Sequence, residues 1–177
     1  GLVGSEMCIR DRSGSERIGT TSAMAEAIVR SLGKAGFARN RIVLIEVPNT
    51  LVRRLKTQPA IRGWLPQLVD FGSGRDRLAA VLEQVTAIIN VPFLKTHNIA
   101  GMTCCLKNLS HALIKHPARY HANGCTPFIG DIVAIPSIRN KLRLNVVNAL
   151  RIVFERGPEA LERFTATSGR LILSPDP

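Results

Sequence analysis

With 177 residues, of which 45% are hydrophobic, the chain is long enough for one domain with a sizeable core. Its net charge of +11 points to anionic partners, but aromatics make up only 5%, so stacking platforms for single-stranded nucleic acid are scarce. No apolar run reaches the roughly 20 residues of a membrane-spanning helix. There is no zinc-finger spacing, RNA-binding sheet motif or CxxC pair.

Taken in chain order, Met7–Arg12 resembles one reading frame of a transposase adapter used in shotgun library preparation. Residues 1–12 are therefore expected to be a disordered artefact outside the fold, and residues 13–177 a single, incomplete α/β domain. Thr20 or Thr21 caps a helix running to about Ala35, with Ala23, Ala27, Ile28, Leu32 and Ala35 on one face and Gly36 as its stop. Arg41–Val47 reads as a buried strand. Residues 48–67 are irregular, with Pro48, Pro59 and Pro66 as punctuation and a short helix over Leu51–Lys56. Leu68–Phe71 reads as a short strand, Arg75–Gln84 as a helix and Thr86–Val91 as a second buried strand. Helices are expected over Thr103–Lys115 and Phe128–Ile135, with Pro117–Pro127 as the loop between them. Arg143–Val147 reads as a strand, Gly157-Pro158 as a turn and Arg170–Leu173 as a last strand. Alternating helices and apolar strands predict an α/β fold, with a mostly parallel sheet carrying helices on both faces. The abrupt Ser174-Pro175-Asp176-Pro177 ending makes truncation at both ends the expectation.

The richest polar segment follows Thr86–Val91, where ligands bind in α/β proteins. Lys95, Thr96 and His97 are expected in a loop, and Thr103 caps the helix that carries Lys107 and Asn108. Lys95, Thr103, Lys107 and the helix N-terminus form a candidate pocket for phosphate or carboxylate; the alternative is that both lysines are solvated. His97 reads as a metal ligand, a general base or a hydrogen-bonding loop histidine. His111 shares a helical face with Lys107 and Lys115 and reads as part of a solvated polar surface, and His116 as a helix-end residue favouring the dipole. His121, Cys125 and Asp131 are a candidate metal set without a specific spacing. Cys104 and Cys105 begin a helix, where a thiol pKa can fall. The remaining odd cysteine count makes a poor disulfide framework. Gly72-Ser73-Gly74 lacks the third glycine of a dinucleotide-binding turn.

The strings VPFLKTHNIAGMTCCLKNLSHAL, HANGC, IGDIVAIPSIRNKLRLNVVNALR, ERGPEA and LILSPDP resemble the domain of unknown function 362 family, a group of prokaryotic proteins. The resemblance covers roughly residues 20–177 and is most specific over 91–177. It implies an α/β fold and no established general activity. By position it singles out Lys95, His97, Thr103, Lys107, Asn108, His121, Asp131 and Asp176. The chain departs from the family in having Asn148 where an aspartate is usual, which puts a metal role there in doubt. Some family members are joined to ferredoxin-like iron–sulfur modules, and some carry a twin-arginine export signal.

Three functions are expected, in this order. The first is a metal-assisted or acid–base enzyme acting on an anionic small molecule. There His97 and Lys107 are catalytic, Lys95, Thr96, Thr103 and Asn108 bind ligand, and His121, Asp131 and Asp176 hold a divalent metal. The second is a non-catalytic anion-binding or redox module seating an iron–sulfur partner. The third is nucleic-acid binding through the basic surface. The compartment stays open between the cytoplasm and, where a leader precedes the sequence, export by the twin-arginine route.

Overall fold

The computed structural model describes residues 5–10, 21–157 and 162–177, the first of these segments by its backbone path alone. Thr20 and Pro158, invoked above for a cap and a turn, lie outside these residues. In chain order the first strand is β1 (Ser5–Arg10), then helix α1 (Ser22–Lys34), β2 (Ile42–Ile45), α2 (Asn49–Leu55) and β3 (Gln58–Pro59). A hairpin follows, β4 (Trp64–Asp70) and β5 (Arg75–Ala79), with the single turn α3 (Val81–Gln84) after it. Next come β6 (Val85–Val91), β7 (Phe93–His97), β8 (Gly101–Thr103) and α4 (Cys105–Ala112). The chain closes with α5 (Phe128–Ala134), α6 (Pro136–Arg139), β9 (Leu142–Val153) and β10 (Thr165–Ser174).

The main sheet runs β3-β2-β1-β6-β9, all parallel, with β10 antiparallel on β9. Strand β7 continues β6 beyond Pro92 and pairs parallel with the second half of β9, and β8 folds back antiparallel onto β7. Pro92 cannot donate to a ladder, but its carbonyl accepts from Asn148 N at 2.8 Å and keeps β9 attached through the break. Ser5–Arg10 was expected outside the fold; instead it pairs with β2 on one side and β6 on the other. Without it those two strands would face each other across an unpaired gap.

Side chains alternate across the sheet and fill two cores. Ile42, Leu44, Ile89, Val91 and Val146 meet Met24, Ala25 and Val29 of α1 and Leu51, Val52 and Leu55 of α2. Val43 and Ile88 point the other way, onto Leu109 of α4 and Leu113 just after it, Ile132 of α5, Ile138 of α6, and Leu78 and Leu82. Helices thus cover both faces, as the buried parallel strands require. Thr21 caps α1, its hydroxyl accepting from Met24 N at 3.2 Å.

Local departures have identifiable causes. Arg75–Gln84 is not one helix, because Asp76 and Leu78 turn inward while Arg75 and Arg77 stay exposed, a two-residue alternation that makes β5. The segment around Lys95 is not a loop but the β7–β8 hairpin, in which Lys95 opposes Thr103 and His97 opposes Gly101. Thr103 therefore lies in β8, Cys104 takes the cap position, and α4 ends at Ala112 rather than near Lys115. Gly72-Ser73-Gly74 is the β4–β5 turn. Gly72 has φ +90°, and a Cβ on Gly74 would stand 2.8 Å from the Tyr120 ring.

Candidate functional site

The parallel strand order reverses between β1 and β6, because the chain moves from β1 outward to β2 and β3 and later returns to β6 and β9 on β1's other side. Open α/β sheets bind ligands outside the carboxyl ends of their strands at such a point. Strand β7 extends β6 beyond that edge and carries Lys95, Thr96 and His97. Helix α4 then supplies Lys107 and His111, and the following turn supplies His121 and Cys125.

Helix α4 is fixed to the sheet by buried amides. Asn90 Nδ2 donates to Cys105 O at 3.0 Å and to Asn145 Oδ1 at 2.7 Å, and Asn90 Oδ1 accepts from Asn108 Nδ2 at 2.7 Å. Asn145 Nδ2 in turn donates to Ser174 O of β10 at 3.2 Å. Asn108, expected to bind ligand, is thus a buried strut between α4 and β6. Thr96 also has a structural partner, its Oγ1 accepting from Gly157 N at 3.0 Å. Thr103 is buried opposite Lys95.

Hydrogen-bond bookkeeping fixes the tautomers of the three histidines in the crevice. His97 Nδ1 accepts from the amides of Ile99 and Ala100, each at 3.2 Å, so the ring proton is on Nε2. Burial, with nearby Lys107, His121 and Lys95 adding to it, lowers the His97 pKa to about 4. His97 is therefore a neutral N–H donor at neutral pH, a poorer base and a poorer metal ligand than its position in the sequence implies. His121 Nδ1 faces Ala118 O at 3.3 Å and must donate to it, which leaves the Nε2 lone pair toward Lys107 Nζ at 3.5 Å. Ser110 Oγ gives its proton to Lys107 O at 3.2 Å, so it accepts from His111 Nδ1–H at 2.9 Å and His111 Nε2 keeps its lone pair.

The rings pack together. His97 stacks on His121 with centroids 5.7 Å apart, and His111 meets His121 edge-on at 4.8 Å. Ligand atoms of His111, His121 and Cys125 lie within 4.8 Å of one another, so the cluster could hold a metal. Burial raises the Cys125 thiol pKa, and nearby Lys107 opposes that shift. Three successive left-handed residues, Asn123 at φ 49°, Gly124 at 64° and Cys125 at 69°, turn the chain there. The buried ring of Tyr120, whose hydroxyl donates to Arg75 O at 2.7 Å, anchors the segment just before His121.

The structure thus brings Lys95, His97, Lys107 and His121 into one neighbourhood, with Cys125. Asp131 and Asp176 are not in the close ligand group among the described residues. Asp176 instead lines a depression of about 310 Å³ with Leu106, Gly130 and Arg139. The residue that sequence reasoning missed is His111, which is buried and not part of a solvated face. Its four-residue spacing from Lys107 was visible, but not which side of α4 faces the 118–125 turn. His116, expected to serve a helix end, instead pairs its Nδ1 with buried Asp76 at 2.9 Å.

Sheet and crevice together define an α/β protein with a basic, histidine-lined crevice at the carboxyl edge of its parallel strands. Residues 66–177, more than half of the chain, match the family described as Domain of unknown function (DUF362), and the chain belongs to that family. No curated protein matches it. No helix among the described residues is long and apolar enough to cross a membrane.

Proposed function

We propose that the crevice is a metal-assisted site acting on a small anionic molecule. The observation that carries this reading is the convergence of His111, His121 and Cys125 beside Lys107. Two imidazole nitrogens and one thiolate suit a zinc-class ion, and a three-ligand tetrahedral site keeps its fourth position open. Ligand atoms in such a site stand about 3.3–3.8 Å apart, so binding closes the cluster by about 1.5 Å at most. The protons of His111 Nδ1 and His121 Nδ1, held on Ser110 Oγ and Ala118 O, fix both rings, so Nε2 of each would be the atom that holds the ion.

Each remaining residue has a part. Lys95 and Lys107 neutralise a carboxylate or phosphate, and His97 Nε2–H donates to one of its oxygens. Lys107 also competes with the ion, since its ammonium lies on the same His121 lone pair. That competition favours a second reading, in which the same residues bind an anion with no metal.

Cobalt(II) substitution tests the first reading. In a Cys104→Ser background, which breaks the other pair of sulfurs, binding should produce a sulfur-to-cobalt charge-transfer band that the added Cys125→Ser change abolishes. Inorganic phosphate should then shift the cobalt ligand-field bands. A band that survives Cys125→Ser removes the metal reading, and phosphate binding without cobalt leaves the anion-only one.

A further inference from the structure

A second group of sulfurs stands apart from the His111, His121 and Cys125 set. Cys104 Sγ and Cys105 Sγ are 3.7 Å apart, the first half-buried and the second buried. Two thiolates on one tetrahedral ion, with metal–sulfur bonds of about 2.3 Å, stand about 3.8 Å apart. A disulfide instead needs about 2.05 Å between sulfurs and Cα atoms at least about 4.4 Å apart. Neighbouring residues on a trans peptide offer only about 3.8 Å between Cα atoms. The pair as held therefore fits a third atom between its sulfurs better than a bond joining them.

The surrounding backbone holds this geometry. Asn90 Nδ2 binds Cys105 O at 3.0 Å, and Asn108 N binds Cys104 O at 3.0 Å. The Cys105 S–H leans on Cys104 Sγ and lowers the Cys104 pKa to about 7, so a thiolate is at hand near neutral pH.

We propose that Cys104 and Cys105 form a chelating site for a soft Lewis acid with two adjacent open positions, a thiophilic cation such as Cd2+ or a trivalent arsenic centre. With phenylarsine oxide, both S–H bonds break, two As–S bonds form, and the oxide oxygen leaves with the two protons as water. Arsenic stays trivalent and no electrons move. With Cd2+, two protons pass to solvent, and the accessible Cys104 side admits water to the remaining positions.

The test is intact-mass measurement after one equivalent of phenylarsine oxide and a chase with excess monothiol, on the folded chain and on Cys104→Ser, Cys105→Ala and Cys125→Ser. The wild type and Cys125→Ser should each keep one adduct, while Cys104→Ser and Cys105→Ala should lose it. If Cys105→Ala does not fold, Cys104→Ser, at the half-buried position, still decides. A parallel Cd2+ titration should show an ultraviolet sulfur-to-cadmium band that falls by half or more in Cys104→Ser. A chase-resistant arsenic adduct identifies a metalloid ligand, and a Cd2+ band without one identifies a cation. An unchanged adduct and band in Cys104→Ser, or neither in the wild type, would overturn the assignment.

Discussion

Replacing Asn90 with leucine is the most direct test of how the crevice is held in place. The side chain is fully buried and makes three hydrogen bonds, two donated and one accepted, to groups on α4 and β9. Each is worth about 1 kcal/mol net, so their loss alone costs about 3 kcal/mol. Leucine also leaves Asn108 Nδ2, Asn145 Oδ1 and Cys105 O facing an apolar group. Counted instead as three buried polar atoms without partners, at about 1–3 kcal/mol each, the expected total is about 3–9 kcal/mol. Urea unfolding followed by circular dichroism measures it, with Val91→Ile as a control for crowding at the next position. A loss below about 1 kcal/mol would show that the amide network adds little and that apolar packing alone seats α4.

Four further outcomes follow from the geometry. In the metal-free chain, ring-nitrogen shifts should show His97 in the Nε2–H form and neutral down to about pH 4; a protonated Nδ1 at neutral pH would refute the tautomer assignment, and a midpoint near 6.5 the lowered pKa. Because its folded pKa lies below the unfolded value, the folded state binds fewer protons. The His97 contribution to stability should be complete above about pH 6.5 and lost as pH falls toward 4, readable as a drop in Tm. Gly157→Ala should destabilise by several kcal/mol or prevent folding, because its Cβ would lie 1.9 Å from Thr96 O, with no flexible side chain to yield; a wild-type Tm would contradict this. Lys107→Met should weaken phosphate binding about tenfold or more while tightening Zn2+ binding, since it removes the cation on His121 Nε2; calorimetry that finds both weakened would count against the competition.

Much of the architecture could be read from the chain because buried parallel strands announce themselves. Ile42–Ile45 and Val85–Val91 are runs that only a two-sided core explains. The β5 segment was harder. Leu78, Val81 and Leu82 mimic helical spacing, and only pairing of β5 with β4 shows that Asp76 faces inward. Thr103 illustrates the same limit, since a hydroxyl ahead of an apolar stretch looks like a cap until the partner across the hairpin is known. At the site, Lys95, His97, Lys107 and His121 stood out by chemistry and family pattern, and the structure brings them together. The roles of Asn108, Thr96 and His111 depend on contacts with Asn90, Gly157 and the 118–125 turn, 18, 61 and about 10 positions away. No local pattern encodes such contacts.

Asp76 gives the outlying hairpin a mechanical part. Its carboxylate, 1% exposed, accepts from Arg77 N, His116 N and His116 Nδ1, and so fastens β5 to the segment that leads into His121. Next to it, Lys115 N donates to Arg77 O and Tyr120 hydroxyl to Arg75 O. The hairpin and the His121 turn must therefore open together. By linkage, anything that binds His121 in the closed form adds its free energy to this latch. Amide protons of β5, which carries none of the ligand atoms, should then exchange more slowly as the crevice fills, so the hairpin would report occupancy of a site it does not build.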